Sequence, residues 1–97
     1  MLLALVVGKA DASIKLQGFN GAKLLVARSV GASGAPEGSL IIAVDTVGAG
    51  QGDLVALVVG SSAGSVAGTP CDAAVVAILD HVFVDNREMI PNRRTSI

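Results

Sequence analysis

Five runs of apolar, mostly β-branched residues alternate with glycine-rich breaks along this chain. Such spacing is typical of an all-β domain built from short strands. We predict strands over Leu2–Val7, Lys23–Val30, Leu40–Val44, Leu54–Val59 and Ala73–Val84, of which the last is the longest.

Two of these runs are apolar at consecutive positions rather than at alternate ones. Leu40–Val44 and Ala74–Leu79 contain no polar residue. A strand of this kind has both of its faces covered. We therefore expect a barrel interior on one side and a neighbouring copy or a helix on the other.

The connections carry residues that favour turns. The composition of Gly31–Gly38 predicts a loop that joins the two strands of a hairpin, and that of Gln17–Gly21 predicts a second loop. Ser61–Ala67 predicts one or two helical turns with Ser61 or Ser62 at the N-cap. Five strands and one short helix favour a small, closed or partly closed barrel with an OB-like plan.

Length and composition predict one domain, residues 1–97, with a polar C-terminal arm from about residue 86 to residue 97. The chain is 52% hydrophobic but has no Trp, no Tyr and two Phe, so its core must consist of Val, Leu, Ile and Ala. Because 15% charged residues cannot cover the surface of so small a domain, we expect a homo-oligomer. The net charge of −1 provides no field that would recruit nucleic acid or an anionic membrane.

The single cysteine and the N-terminus both favour a cytosolic protein. Because Cys71 is the only cysteine, the chain cannot form an internal disulfide. We interpret Cys71 as a small buried residue at the entrance of a strand. Met1–Val7 imitates a short signal peptide, but no positive residue precedes its apolar run, so we predict a strand there. No apolar stretch reaches the roughly 18 residues that span a bilayer, and we expect a soluble chain without a membrane partner.

The segment Gly60–Gly64 matches a G-x-S-x-G motif, with Ser62 at the position of the nucleophile. Asp72 and His81 follow it in the order of a hydrolase triad. The fold that uses this motif needs a large parallel sheet with crossover helices. A chain of 97 residues with a β pattern cannot supply that sheet. We expect no catalytic residue, and predict that the chain is not an enzyme.

No other segment predicts a ligand site. The glycines of Gly48–Gly52 lack the lysine of a phosphate-binding loop, and Asp53 stands where a dinucleotide fingerprint needs glycine, so a tight loop is the better interpretation. One His, one Cys and scattered Asp residues give no spacing for a metal site. We expect no cofactor and no metal.

Two further classes of function stay open as alternatives. A small OB-like barrel can bind oligonucleotides, but Phe19 and Phe83 are the only aromatic residues and no groove is predicted to be basic. A small ligand-binding or enzymatic domain would need a polar pocket, for which the glycine-rich loop and the Ser61–Ser62 pair are the only candidates.

Three motifs follow one another in a fixed order: Asp45-x-Val47-Gly48-Ala49-Gly50, then Gly60-Ser61-Ser62-Ala63, then Pro70-x-Asp72-Ala73 before the last strand and Asp80. They are preceded by Gly8, Lys15, Gly21 and Lys23-Leu24-Leu25-Val26. Over positions 2 to 88 or so, the chain resembles the pentameric vertex proteins of bacterial microcompartment shells, which occur in carboxysomes and in ethanolamine- and propanediol-type compartments.

This resemblance implies a five-stranded barrel with one short helix, assembled as a cyclic homopentamer. The pentamer is a truncated pyramid that plugs the five-fold vertices of a shell otherwise tiled by hexameric proteins. The implied function is structural, in a microcompartment shell in the bacterial cytoplasm.

Small residues in two of the motifs would let five backbones converge near one axis. On that ground the predicted interface or pore residues are Asp45, Gly48, Ala49, Gly50, Gly52, Ser61 and Ser62. The chain departs from the family pattern at Gly64, where arginine is usual, and at Cys71, where an aliphatic residue is common. The tail Glu88–Ile97 aligns with nothing in that pattern.

Overall fold

The structure, a computed structural model, describes residues 1–17 and 21–89. Within these ranges the chain forms seven strands and one α-helix. They are β1 (Leu2–Ala10), β2 (Leu24–Val30), β3 (Pro36–Asp45), β4 (Leu54–Val59), α1 (Ser62–Ala67), β5 (Ala73–Ile78), β6 (Phe83–Val84) and β7 (Arg87–Glu88).

The first five strands close into a barrel in the order β1-β2-β3-β5-β4, with β4 pairing back onto β1. Four of the five pairings are antiparallel. The pairing of β3 with β5 is parallel and sets Val44 beside Ala74 and Asp45 beside Val75. The predicted all-β, five-stranded barrel with one short helix is confirmed.

The barrel interior is filled by small and medium aliphatic side chains. None of the buried residues in the described part of the chain is aromatic, as the composition predicts. All but one of the cluster members belong to barrel strands, and the exception, Ala49, comes from the loop between β3 and β4. The cluster consists of Ala4, Val6, Leu25, Ala27, Ala43, Ala49, Val55, Leu57, Ala73 and Val75.

The third strand is longer than predicted, because β3 begins at Pro36 rather than at Leu40. Part of the segment interpreted as a loop is therefore strand. Pro36 is the first residue of β3. Proline has no N–H to donate to a neighbouring strand, and the first position of a strand tolerates that loss. The guanidinium of Arg28 donates to the Gly38 carbonyl at 3.0 and 3.1 Å, which holds this extension against β2.

The predicted strand Ala73–Val84 is wrong in its second half. β5 ends at Ile78, so β3, with ten residues, is the longest strand. The chain then forms the hairpin β6–β7, whose turn residues Asp85 and Asn86 both have positive φ, 53° and 63°. Positive φ at both central positions is typical of the two-residue turns that match strand twist.

The predicted polar arm starts inside this hairpin. Arg87 and Glu88 form β7, and the buried Met89 donates its N–H to the Val82 carbonyl at 2.7 Å. The remainder of the arm, residues 90–97, and the tip of the predicted loop at Phe19 lie outside the described residues.

The predicted helix is confirmed as α1, with Ser61 at its N-cap. The Ser61 side chain makes no capping hydrogen bond, because its backbone is itself helical (φ −65°, ψ −25°). At the other end Gly68 adopts φ 71° and donates its N–H to the Gly64 carbonyl, a glycine C-cap. Across residues 1–17 and 21–89, no helix has the length and apolar character needed to cross a bilayer.

Candidate functional site

The predicted interface residues concentrate in one loop, residues 46–52, which we call the glycine loop and which connects β3 to β4. Two carboxylates bound it. At the β3 end, Asp45 Oδ1 accepts hydrogen bonds from the backbone N–H groups of Val47 and Ala49, both at 3.2 Å. The Asp45 side chain is only 3% exposed, so this carboxylate faces the loop rather than the solvent.

Asp53 closes the other end of the loop. Its Oδ2 accepts a hydrogen bond from the Gly50 N–H at 2.8 Å. Asp53 and its neighbour also pair with β1, since the Gly52 N–H donates to the Val6 carbonyl and the Val6 N–H donates to the Asp53 carbonyl, both at 2.9 Å. The end of the loop thereby continues the β1–β4 pairing.

Lys23, the residue before β2, binds the loop from the side. Its Nζ donates to the Ala49 carbonyl at 2.7 Å and lies 3.5 Å from Asp45 Oδ2. The Asp45 N–H in turn donates to the Lys23 carbonyl at 2.9 Å. Lys23 and Asp45 therefore contact each other through both backbone and side chain.

Thr46 ties the start of the loop to β5. Its hydroxyl donates to the Val75 carbonyl at 2.7 Å, and its N–H reaches the same oxygen at 3.2 Å. Hydrogen bonds from β1, from β5 and from the residue before β2 therefore hold the glycine loop within a single chain.

The predicted interface residues of this loop differ in how exposed they are, and therefore in whether a neighbouring subunit could contact them. Ala49 is fully buried among core residues, so its side chain packs into its own barrel. Gly52 is buried, Gly50 is half-buried and Gly48 is exposed. Gly48 and Gly52 have φ of 81° and 94°, a conformation that favours glycine.

Gly50 differs from these two glycines. Its φ is not in the left-handed region, and a Cβ at this position would meet nothing within 4 Å in the same chain. A side chain at residue 50 is therefore compatible with the isolated barrel, and any need for glycine there arises outside it.

Ser61 and Ser62 lie on a separate element, the start of α1, and both are exposed. Gly60, with φ 90°, turns the chain into the helix and donates its N–H to the Asp72 carbonyl at 2.7 Å. The structure thus gathers the glycines into one loop, with Asp45 at its β3 end, and leaves the serine pair at the start of the helix. Their role at a subunit interface stays a prediction.

The Ser62–Asp72–His81 order does not correspond to a hydrogen-bonded triad. Nδ1 of His81 lies 2.5 Å from Glu88 Oε2 across the hairpin, so the carboxylate partner of the histidine is Glu88 and not Asp72. That hydrogen bond, then the charge of Glu88 and more weakly that of Asp80, raise the pKa of His81. No cluster of three His, Cys, Asp or Glu side chains suited to a metal occurs in residues 1–17 and 21–89.

Sequence reasoning did not assign a role to Lys23. The lysine is visible only as one member of a matching segment before the second strand, and its bond to Ala49 spans 26 positions of the chain. No local periodicity or turn chemistry signals a contact of that kind.

Comparison with a family model matches residues 1–80 to the ethanolamine utilisation protein EutN/carboxysome family. The shell vertex protein EutN of Salmonella typhimurium is 39% identical over 90% of this chain and 91% of its own length. The carboxysome shell vertex protein CcmL of Thermosynechococcus vestitus is 42% identical over 89% and 90%.

Solved structures give the same result. CcmL of Gloeobacter violaceus superposes with a TM-score of 0.86 at 36% identity, covering 95% of this chain and 98% of that one. GrpN of Rhodospirillum rubrum, described as a pentameric microcompartment shell protein, gives 0.79 at 40% identity, covering 87% and 100%. With a family model over most of its length and relatives matched nearly end to end, this chain belongs to the EutN/CcmL family.

Proposed function

We propose that this chain is a structural shell protein that forms a ring of five and occupies the five-fold vertices of a bacterial microcompartment in the bacterial cytoplasm. The observation that carries the proposal is the near full-length similarity to proteins named shell vertex proteins. GrpN, whose solved structure is described as pentameric, supports the ring.

The surface of the barrel favours association with further copies. Leu40 and Ile42 project from the outer face of β3 with 63% and 49% of their surface exposed. Ile42 pairs with the half-buried Val26 of β2, and Leu40 pairs with Arg28. Exposed apolar side chains on adjacent strands are stabilised when a neighbour covers them.

The closed barrel also restricts how copies can meet. Most strand edges are paired within the barrel, although β3 meets β5 only at Val44 and Asp45, so we expect association to use mainly side-chain faces and loops. A contact between two different faces, repeated head to tail, closes into a ring when the rotation per copy fits a whole number. Five copies in a cyclic arrangement satisfy this requirement and bring equivalent loops together around one axis.

Hexameric shell proteins are the proposed neighbours of the ring. A flat sheet of hexagonal tiles cannot close by itself, and a closed shell of such tiles needs twelve five-fold positions. A pentagonal plug is therefore required in small numbers. In this proposal the chain contributes shape and contacts, and it needs neither a cofactor nor a catalytic residue.

The oligomeric state is the first test. Light scattering at micromolar concentration should give a particle of roughly five times the 9.6 kDa of one chain. A stable monomer or dimer under these conditions would refute the ring.

Deletion of the chain in its host tests the role itself. We expect the shell tiles and the enclosed enzymes to be expressed, while the compartments become elongated or leaky and the enzymes stay active in lysate. Normally closed compartments, in a strain without a second vertex protein, would contradict vertex capping. Loss of enzyme activity in lysate would point to a catalytic role instead.

A further inference from the structure

Ala49 attaches the centre of the glycine loop to the barrel. Its side chain is fully buried in the core, its N–H donates to Asp45 Oδ1 at 3.2 Å, and its carbonyl accepts from Lys23 Nζ at 2.7 Å. The side chain and both polar backbone groups of this one residue are therefore engaged. Ala49 stands between Gly48 and Gly50, residues whose backbones lose more conformational entropy on ordering than those of other residues.

Two hydrogen bonds hold the Ala49 backbone, and the one from Lys23 comes from a distant part of the chain and is donated by a charged group. The Asp45 bond is local, four residues away, whereas Lys23 is 26 residues from Ala49. Lys23 also lies 3.5 Å from the nearly buried carboxylate of Asp45. One side chain thus neutralises the carboxylate that binds the start of the loop and holds the carbonyl at its centre.

We infer that Lys23 is a positioning residue for assembly: its ammonium presets the glycine loop in the free subunit in the conformation that the neighbouring subunit meets. The inference rests on the proposed ring. Ordering a flexible loop at each contact between copies opposes association, so a loop ordered in advance strengthens the ring without any contact from Lys23 itself.

The experiment compares Lys23→Met, which keeps the aliphatic stem and removes the charge, with Lys23→Arg and with the control Lys9→Met, an exposed lysine on β1. Two quantities are measured on the full chain: the hydrogen-exchange rates of the Ala49 and Gly50 amides, and the ring dissociation constant from sedimentation over a concentration series. The exchange rates of the Leu57 and Val75 amides report whether the barrel stays intact.

For Lys23→Met we expect loop exchange to be faster by about ten-fold, the scale of one charge-assisted hydrogen bond. The ring should weaken in parallel, with the barrel amides unchanged. Lys23→Arg should restore both quantities in large part, and Lys9→Met should change neither.

Each of the following results overturns the inference. Unchanged loop exchange in Lys23→Met shows that the ammonium does not hold the loop. Faster loop exchange with an unchanged ring shows that loop order does not matter for assembly, and a weaker ring with unchanged loop exchange shows that Lys23 acts by direct contact. A wild-type chain that stays monomeric refutes the proposed ring and the assembly step with it, while the exchange rates still decide whether Lys23 holds the loop.

Discussion

Gly50 and Asp53 exchange two hydrogen bonds: the Gly50 N–H donates to Asp53 Oδ2 at 2.8 Å, and the Asp53 N–H donates to the Gly50 carbonyl at 3.0 Å. Gly50 contributes only its backbone N–H and carbonyl to these bonds, so the turn needs no side chain at position 50. Since the isolated chain also leaves room for one there, the absence of a side chain is a feature to be tested in the assembled ring.

Gly50→Val should leave the barrel folded and impair ring formation. An added side chain at residue 50 meets no atom of its own chain within 4 Å, but it occupies space where neighbouring loops are proposed to converge. Circular dichroism checks the fold and light scattering checks the ring. An intact ring with unchanged melting would show that residues 48–52 are only a surface turn.

Gly48→Ala, at a second glycine of the same loop, measures the cost of backbone strain for comparison with Gly50→Val. Gly48 also has open space around its Cβ position, but its φ of 81° is unfavourable for alanine. We expect this variant to lose about 1 kcal/mol of unfolding free energy from backbone strain, whether or not the ring forms. Urea denaturation of both variants separates strain within a chain from crowding between chains.

Asp45→Ala should destabilise the fold more than Asp45→Asn. Alanine leaves the N–H groups of Val47 and Ala49 without their acceptor and removes the partner of Lys23, a loss of about 2 to 3 kcal/mol. Asparagine keeps an oxygen that can accept both N–H groups and loses mainly the charge. Equal unfolding free energies for the two variants in urea titration would contradict a loop held through Oδ1.

Gly64→Ala should stabilise the fold by about 0.5 to 1 kcal/mol, because alanine favours a helix interior over glycine. The nearest atom to a Cβ at residue 64 is the Thr69 carbonyl oxygen at 3.4 Å, an ordinary contact. Gly68→Ala, in the same helix region, should instead cost about 1 kcal/mol because its φ is 71°. Thermal unfolding that ranks the two variants in the opposite order would contradict this description of α1.

His81 should titrate at a higher pH than an unperturbed histidine, because Glu88 stabilises its charged form. The stabilisation from this pair is fully present below the ordinary histidine pKa, as long as Glu88 is ionised, and is lost as the pH rises through the elevated pKa of His81. NMR titration of the His81 ring protons measures the shift. In Glu88→Gln the pKa should fall towards its ordinary value, and an unchanged titration would assign the shift to another group.

The barrel could be predicted from sequence because its strands are separate apolar runs with glycine between them. The hairpin β6–β7 was missed because Leu79 and Val82–Val84 extend the apolar pattern across the break at Asp80 and His81. The signal that could have revealed it is Asp85-Asn86, two residues that tolerate positive φ at a hairpin turn. Pro36 and Gly38 had the opposite effect. Because both residues favour turns, the sequence predicted a loop where the structure has the start of β3.

The order of the glycine loop was beyond the reach of sequence reasoning. Asp45 and the glycines stand out as a motif, but nothing local shows that Ala49 fills the barrel or that Lys23 binds its carbonyl. The first contact depends on the closure of the barrel. The second depends on the antiparallel register of β2 and β3, which sets Leu24 opposite Val44 and so brings Lys23 beside Asp45. The motif therefore located the loop but not the residues that fix its conformation.

The pairing of β4 back onto β1 has a consequence for the chain at high concentration. A sheet with an open edge can add strands from other molecules without limit, which is the route to fibrils. In the barrel every strand has two neighbours, and the longest stretch paired on one side only is the part of β3 before Val44, so little edge remains for such growth. Overproduced subunits are expected to yield particles of one finite size rather than fibres.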